Sequence, residues 1–177
     1  MSWGSVQNSI YDWIKSIFTT ETVVWSKQNV GQPTQPCVIL DINSIQRVGD
    51  DFVSAPDDDG NLSIVGNRDF TLSVQYLGVD SLDRMEALRM ATQNPVALES
   101  LQYAGIAFFS SEPVMDLTEL VQNEFEERAG IDLMMRTHAE TTVLAGTMGS
   151  VGVEKIFQIA GIAGTDTAVM VENIEIP

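Results

Sequence analysis

Apolar positions Val6, Ile10, Trp13, Ile14 and Ile17 fall at spacings of four, three, one and three, on one side of a 3.6-residue period. Gln7, Asn8, Asp12, Lys15 and Ser16 fill the other side, so the segment predicts an amphipathic helix with Ser5 as N-cap. That stripe serves either the core or a partner, because Trp3 and Trp13 are the kind of aromatic anchors found at interfaces. Asn29 to Pro36, with two prolines and a glycine, reads as a loop into a strand at Cys37 to Ile45. There Val38, Leu40 and Ile42 share one face, and Cys37, Ile39, Asp41 and Asn43 the other. Gly49 to Asn61 reads as a turn-rich connection. From Arg68 to Tyr76 the alternation is strict, with Phe70, Leu72, Val74 and Tyr76 on one face and Asp69, Thr71, Ser73 and Gln75 on the other.

After Gly78 the period changes. Asp80 or Ser81 is placed to cap a helix with Leu82, Met85 and Leu88 as its apolar stripe, and Asn94-Pro95 starts another that Gly105 ends. Ile106 to Ser110 predicts a buried strand and Pro113 to Leu120 a loop or short strand. Phe125 to Arg136 predicts a strand with Ala129, Ile131, Leu133 and Met135 facing inward. Beyond Glu140, Val151, Val153, Ile156 and Ile159, and then Val169, Val171 and Ile174, suit further strands around a turn at Gly161 to Asp166. This order predicts an α+β domain over residues 1–139, an antiparallel or mixed sheet with helices packed on one face, and a C-terminal β extension over 140–177. The extension is expected to belong to the same domain or to act as an intersubunit arm whose strands augment an adjacent sheet.

Composition narrows the function. The 177 residues hold nine Lys/Arg against twenty-five Asp/Glu, a net charge of −16, which disfavours affinity gained by neutralising phosphates. One cysteine, Cys37, permits no internal disulfide, and one histidine, His138, supplies no His-based metal site. No basic leader with an apolar stretch opens the sequence, and no run of about 18 apolar residues occurs, so a soluble, cytoplasmically made protein is expected.

Four stretches of the sequence invite a chemical reading. Asp57-Asp58-Asp59-Gly60 invites calcium, yet placing Gly60 at position 6 of an EF-hand loop puts Ala55 at position 1 and Gly66 at position 12, both without ligands. A solvated hairpin loop is the plainer reading. Cys37 or a serine with His138 as base would make a hydrolase, but no nucleophile signature surrounds them. The glycines at 146, 149 and 152 form neither a phosphate loop nor a dinucleotide fingerprint. Glu112 to Glu127 holds six carboxylates before the first cation, Arg128, and reads as a charged surface.

Gln28-Asn29 with Pro33 and Pro36, the strand from Cys37 to Ser44, the segment Gly66 to Gly78 before a capped helix, and the strand entry Asn123 to Ala129 together resemble the neck or tail-terminator proteins of tailed bacteriophages. The resemblance spans about residues 10–137. It implies a non-enzymatic, cofactor-free subunit of the virion tail or neck, made in the host cytoplasm. Such a subunit forms a ring, commonly a hexamer, that ends the tail tube and meets the head-side connector or completion protein while DNA passes through. A net-negative wall would let a duplex slide. On that basis Asp57, Asp58, Asp59, Glu124, Glu126 and Glu127 are candidate channel-facing acids. Arg68, Arg84, Arg89, Arg128 and Arg136 are candidate intersubunit contacts, with ordinary intrachain pairing the alternative for each. A tail-tube or head-completion subunit is the nearest alternative, and an acidic calcium-binding module or small hydrolase the alternatives of another class.

Overall fold

The first helix, α1 (Trp3–Ile17), is capped by Ser2, whose hydroxyl accepts from the Ser5 amide at 3.2 Å, rather than by Ser5 itself. In a computed structural model describing residues 2–27, 33–121 and 123–144, this helix lies against a mixed six-stranded sheet. Its stripe is core: Val6, Ile10, Trp13 and Ile14 are buried, and the Trp13 indole donates to the Ala97 carbonyl at 2.8 Å. Burial of side chains this size contributes about 1.5–3 kcal/mol each. Trp3 packs edge-on against Phe70, ring centroids 5.7 Å apart.

Strand β1 (Thr22–Trp25), too short to show a period, runs parallel to the start of β2 (Cys37–Val53). β2 turns back into β3 (Asn61–Leu77), and β8 (Arg128–Leu144) pairs with the whole of β3 without a register shift. Between them come α2 (Ser81–Ala91), α3 (Pro95–Tyr103) and β4 (Ile106–Ser111), then β5 (Met115–Asp116) and a separate hairpin of β6 (Glu119–Val121) and β7 (Glu124–Glu126). The sheet order is β1-β2-β3-β8-β4, with β5 on the same edge of β8 as β4.

The helices cover one sheet face, built from Val38 and Leu40, from Phe70, Leu72, Val74 and Tyr76, and from Ala129, Ile131, Leu133 and Met135. The α+β arrangement with one-sided helices is therefore the one the periodicity predicts. Several local expectations change. The segment from residue 49 to 53 is strand, not turn: Gly49, at φ 70°, sits in an irregularity between Val48 and Phe52 that keeps β2 paired with β3. Leu82 is half exposed, because α2 turns only Ser81, Met85 and Leu88 into the core. Asp80 precedes α2 in the left-handed region at φ 61° and makes no side-chain cap bond. β4 is an edge strand with only Ile106 fully buried, since β8 shields it on one side alone. Cys37 is buried despite lying on the polar-face register. β8 continues past Arg136 to Leu144, across the expected boundary at residue 139; the strands expected over 151–174 lie outside the described residues.

The two halves of the sheet differ. Helices cover the half nearest Leu77 and Arg128, whereas the other half of β2, β3 and β8 runs on as a three-stranded arm, residues 45–53, 61–69 and 136–144. From Asp69 to Asn61 the arm extends roughly 27 Å at the usual strand rise. Among the described residues no helix is long and apolar enough to cross a membrane.

Candidate assembly and channel surfaces

Asp57, Asp58 and Asp59 form the tip of the arm, in the turn between β2 and β3. The Asp57 carboxylate accepts from the amides of Asn61 (2.7 Å) and Asp59 (3.1 Å) and from the Asn61 side chain (3.2 Å). These donors, the Asn61 amide first, hold its carboxyl below the usual range. Asp57 therefore works as a turn-closing group, and Gly60 takes the positive φ of 78° that completes the turn. No group of three or more metal-ligating side chains occurs among the described residues.

Glu124, Glu126 and Glu127 lie at the other end of the sheet. Glu124 is exposed on β7, Glu126 accepts from the Gln35 side-chain Nε2, and Glu127 accepts from the Asp80 backbone amide at 2.8 Å. A carboxylate there complements the dipole of α2, doing from 47 residues away what Asp80 was expected to do locally. The two acidic groups are separated by the length of β3, roughly 50 Å, so a single copy does not bring them together.

Each of the five arginines meets a carboxylate of its own chain. Arg68 grips Asp51 through both nitrogens at 2.7 and 2.8 Å, and Arg136 grips Asp69 at 2.6 and 2.9 Å. Arg89 takes Glu86, also through two nitrogens. Arg84 stands 3.5 Å from the buried Glu21, and Arg128 stands 3.4 Å from Glu119 with its Nε buried and without a hydrogen-bond partner. Lys27 pairs with Asp41 and Arg47 with Asp50, while Lys15 donates to the carbonyls of Thr19 and Glu21. Every cation of the described residues is thus engaged within the chain, and the surplus of acid is left uncompensated.

Sequence reading did not find the pairing of Asp51 with Arg68, which depends on Gly66. A Cβ at Gly66 would stand 1.7 Å from an Asp51 oxygen, so the bare backbone makes the seat for the ion pair. The only sequence signal was a glycine within an alternating strand. Arg136 also lies 4.7 Å over the ring of Phe109, the residue bulged out of β4. On the sheet face away from the helices, Asn43 donates to Ser73 and Ser73 to Asp132, and Ser44 bonds Thr71 at 3.1 Å, giving a polar face.

A Cys37–His138 couple is not assembled. Cys37 pairs with Leu77 and His138 with Asn67, ten positions apart on β3 or roughly 33 Å. Burial also pushes the Cys37 thiol up, away from thiolate chemistry. Two open grooves, about 250 Å³ between α3 and β4 and about 240 Å³ beside Trp25 and Asp41, fall short of the 300–1,000 Å³ usual for small-molecule sites.

Comparison with known proteins gives these surfaces their setting. The family model of phage neck terminator proteins matches residues 5–166. The chain belongs to that family. It is accordingly a bacteriophage structural protein of the neck, of the tail-terminator type. No curated protein matches it.

Proposed function

We propose that this neck terminator closes into a ring, six copies in the leading reading, that ends the tail tube and joins it to the head-side connector while DNA passes through without being held. The observation that carries the reading is the family match over residues 5–166. Charge supports it: with the described cations turned to carboxylates or carbonyls of their own chain, they offer no basic stripe to a passing duplex. The acids Asp57, Asp58 and Asp59 at the arm tip and Glu124, Glu126 and Glu127 at the far end are assigned to the channel rims. Their separation is that of two rims if the strands run along the channel.

Of the five arginines, Arg84 and Arg128 are the ones assigned to a neighbouring copy. Their intrachain contacts are the longest, and Arg128 keeps a buried unpartnered Nε. Arg68, Arg89 and Arg136 already have both arms of the guanidinium occupied. The chain acts by shape and contact, without catalysis or a cofactor. Residues 140–144 are part of β8 and so belong to the same unit as the rest of the sheet.

Electron microscopy of purified virions, with the protein labelled, tests the reading. Label at the head–tail junction is the expected result, and virions without the protein would refute it. Light scattering on purified protein is expected to give about 116 kDa for six copies of 19.4 kDa.

A further inference from the structure

The arm carries apolar side chains on both faces beyond the reach of any described helix. Register with Phe70 and its successors puts Ile45, Val53, Leu62, Ile64 and Val143 on the helix-side face. Phe52, Val65 and Leu144 lie on the opposite face, and Phe52 and Leu144 are each 69% exposed. The helix-side face is the more apolar one, whereas on the opposite face Phe52, Val65 and Leu144 stand among Ser63, Asn67, His138 and Glu140, the mixture of apolar and polar area usual for an interface between proteins.

Charge indicates which occupant fits. The arm strands hold four acids, Asp50, Asp51, Asp69 and Glu140, against Arg47, Arg68 and Arg136, a net of −1 where the whole chain carries −16. Three of the four acids are held by those arginines, and Glu140 accepts from Ser63 at 3.1 Å. A cationic partner would gain little here and more at the acidic tip or along residues 112–127. For two copies that each carry −16, a nearly neutral apolar surface is where approach costs least.

Size points the same way. Three strands about 4.8 Å apart over roughly 27 Å present roughly 400 Å² per face. One face is half of what a stable interface takes from each partner, about 800 Å², and two faces together reach it. The β8 edge adds to the case: residues 138–144 have no partner strand outside β3 among the described residues, and no bulge or proline blocks them.

We infer that the arm of residues 45–53, 61–69 and 136–144 is the contact between copies of this chain, both faces being covered by a second copy. The inference rests on the ring reading and names the surface that builds the ring. Phe52→Lys and Val143→Lys test it in the full chain, because both side chains are exposed and neither belongs to the helix-covered core. Light scattering against concentration is expected to show a multimeric wild type. Each variant should fall to a single copy at concentrations at least tenfold above those at which the wild type dissociates, with near-ultraviolet circular dichroism unchanged.

Variants that keep the wild-type mass would overturn the arm contact while leaving the ring intact. A wild type that is a single copy at every concentration would also overturn it, and hydrogen exchange then separates the remaining occupants. Arm amides protected in the single copy would assign the cover to residues 145–177, and unprotected ones to a different protein. Labelled virions report on the neck role separately, so the two failures are distinguishable.

Discussion

Trp13 shows how much one side chain does at the centre of this molecule. It is 1% exposed, and its indole N–H satisfies the Ala97 carbonyl, tying α1 to α3. Trp13→Phe keeps most of the apolar area but loses that hydrogen bond, and is expected to cost about 0.5–1.5 kcal/mol in urea denaturation. Trp13→Ala should cost about 3–5 kcal/mol. Gly66 is the second position where one atom decides. In Gly66→Ala the added methyl displaces Asp51 from Arg68, so the variant should lose hydrogen-exchange protection in the arm. Because the closest clash is with Asp51, and the Arg68 guanidinium at 2.6 Å is freed to swing away once Asp51 is gone, Gly66→Ala should be less harmful in an Asp51→Ala background, a non-additivity read directly from a double-mutant cycle. Additive losses would show that the Gly66 seat does not matter. Neither effect was legible beforehand: Trp13 was readable as core or as partner anchor, and the Asp51–Arg68 pair joins residues 17 apart across a hairpin whose turn was placed too early.

At the scale of elements, the arm is stitched by ion pairs rather than by a core. Arg68 hydrogen-bonds Asp51, and Arg136 hydrogen-bonds Asp69; each holds its carboxyl below the usual range for an aspartate. A carboxyl depressed in the folded state binds fewer protons there than in the unfolded chain, so its contribution is full above the unfolded value of about 3.9 and fades as pH falls through the folded value. Arm amides should therefore lose protection below about pH 4 before the helix-covered half does, and Asp69→Asn should flatten that dependence. Exchange measured by mass spectrometry between pH 3 and 6, corrected for intrinsic rates, checks both. Equal losses across the two halves would remove the idea. Element types were mostly readable, because Phe70 to Tyr76 and Ala129 to Met135 alternate strictly and Asn94-Pro95 starts α3 as expected, with the Asn94 side chain accepting from Val96 at 3.0 Å. Their lengths were not. Gly49, Asp50 and Asp51 look like a turn, but β3 supplies the pairing that carries β2 across them. Leu82 matched the helical period and still points outward, because the sheet accepts only Ser81, Met85 and Leu88 from α2.

For the whole molecule, a chain of net charge −16 whose described cations are engaged internally is expected to be indifferent to DNA. Replacing Asp57, Asp58 and Asp59 together with lysine shifts each copy by +6 and places cations at the arm tip. Such a protein should bind duplex DNA in a gel-shift assay at low salt and release it as salt rises, whereas the wild type should not bind. Virions carrying it should eject DNA more slowly. Unchanged ejection with DNA binding gained would move the arm tip away from the channel.

What the amino-acid sequence determined by itself was local or additive: the periodicity of strands and helices, the start of α3, and net charge. Those properties need only neighbours a few residues away, or a count. The tertiary structure decided everything that joins distant positions. It chose Glu127 to close the start of α2, set Cys37 and His138 roughly 33 Å apart, matched each arginine to its carboxylate, and carried β2, β3 and β8 beyond the helices as an arm. Which side chains meet across a sheet depends on register, and register is fixed by the pairing of whole strands.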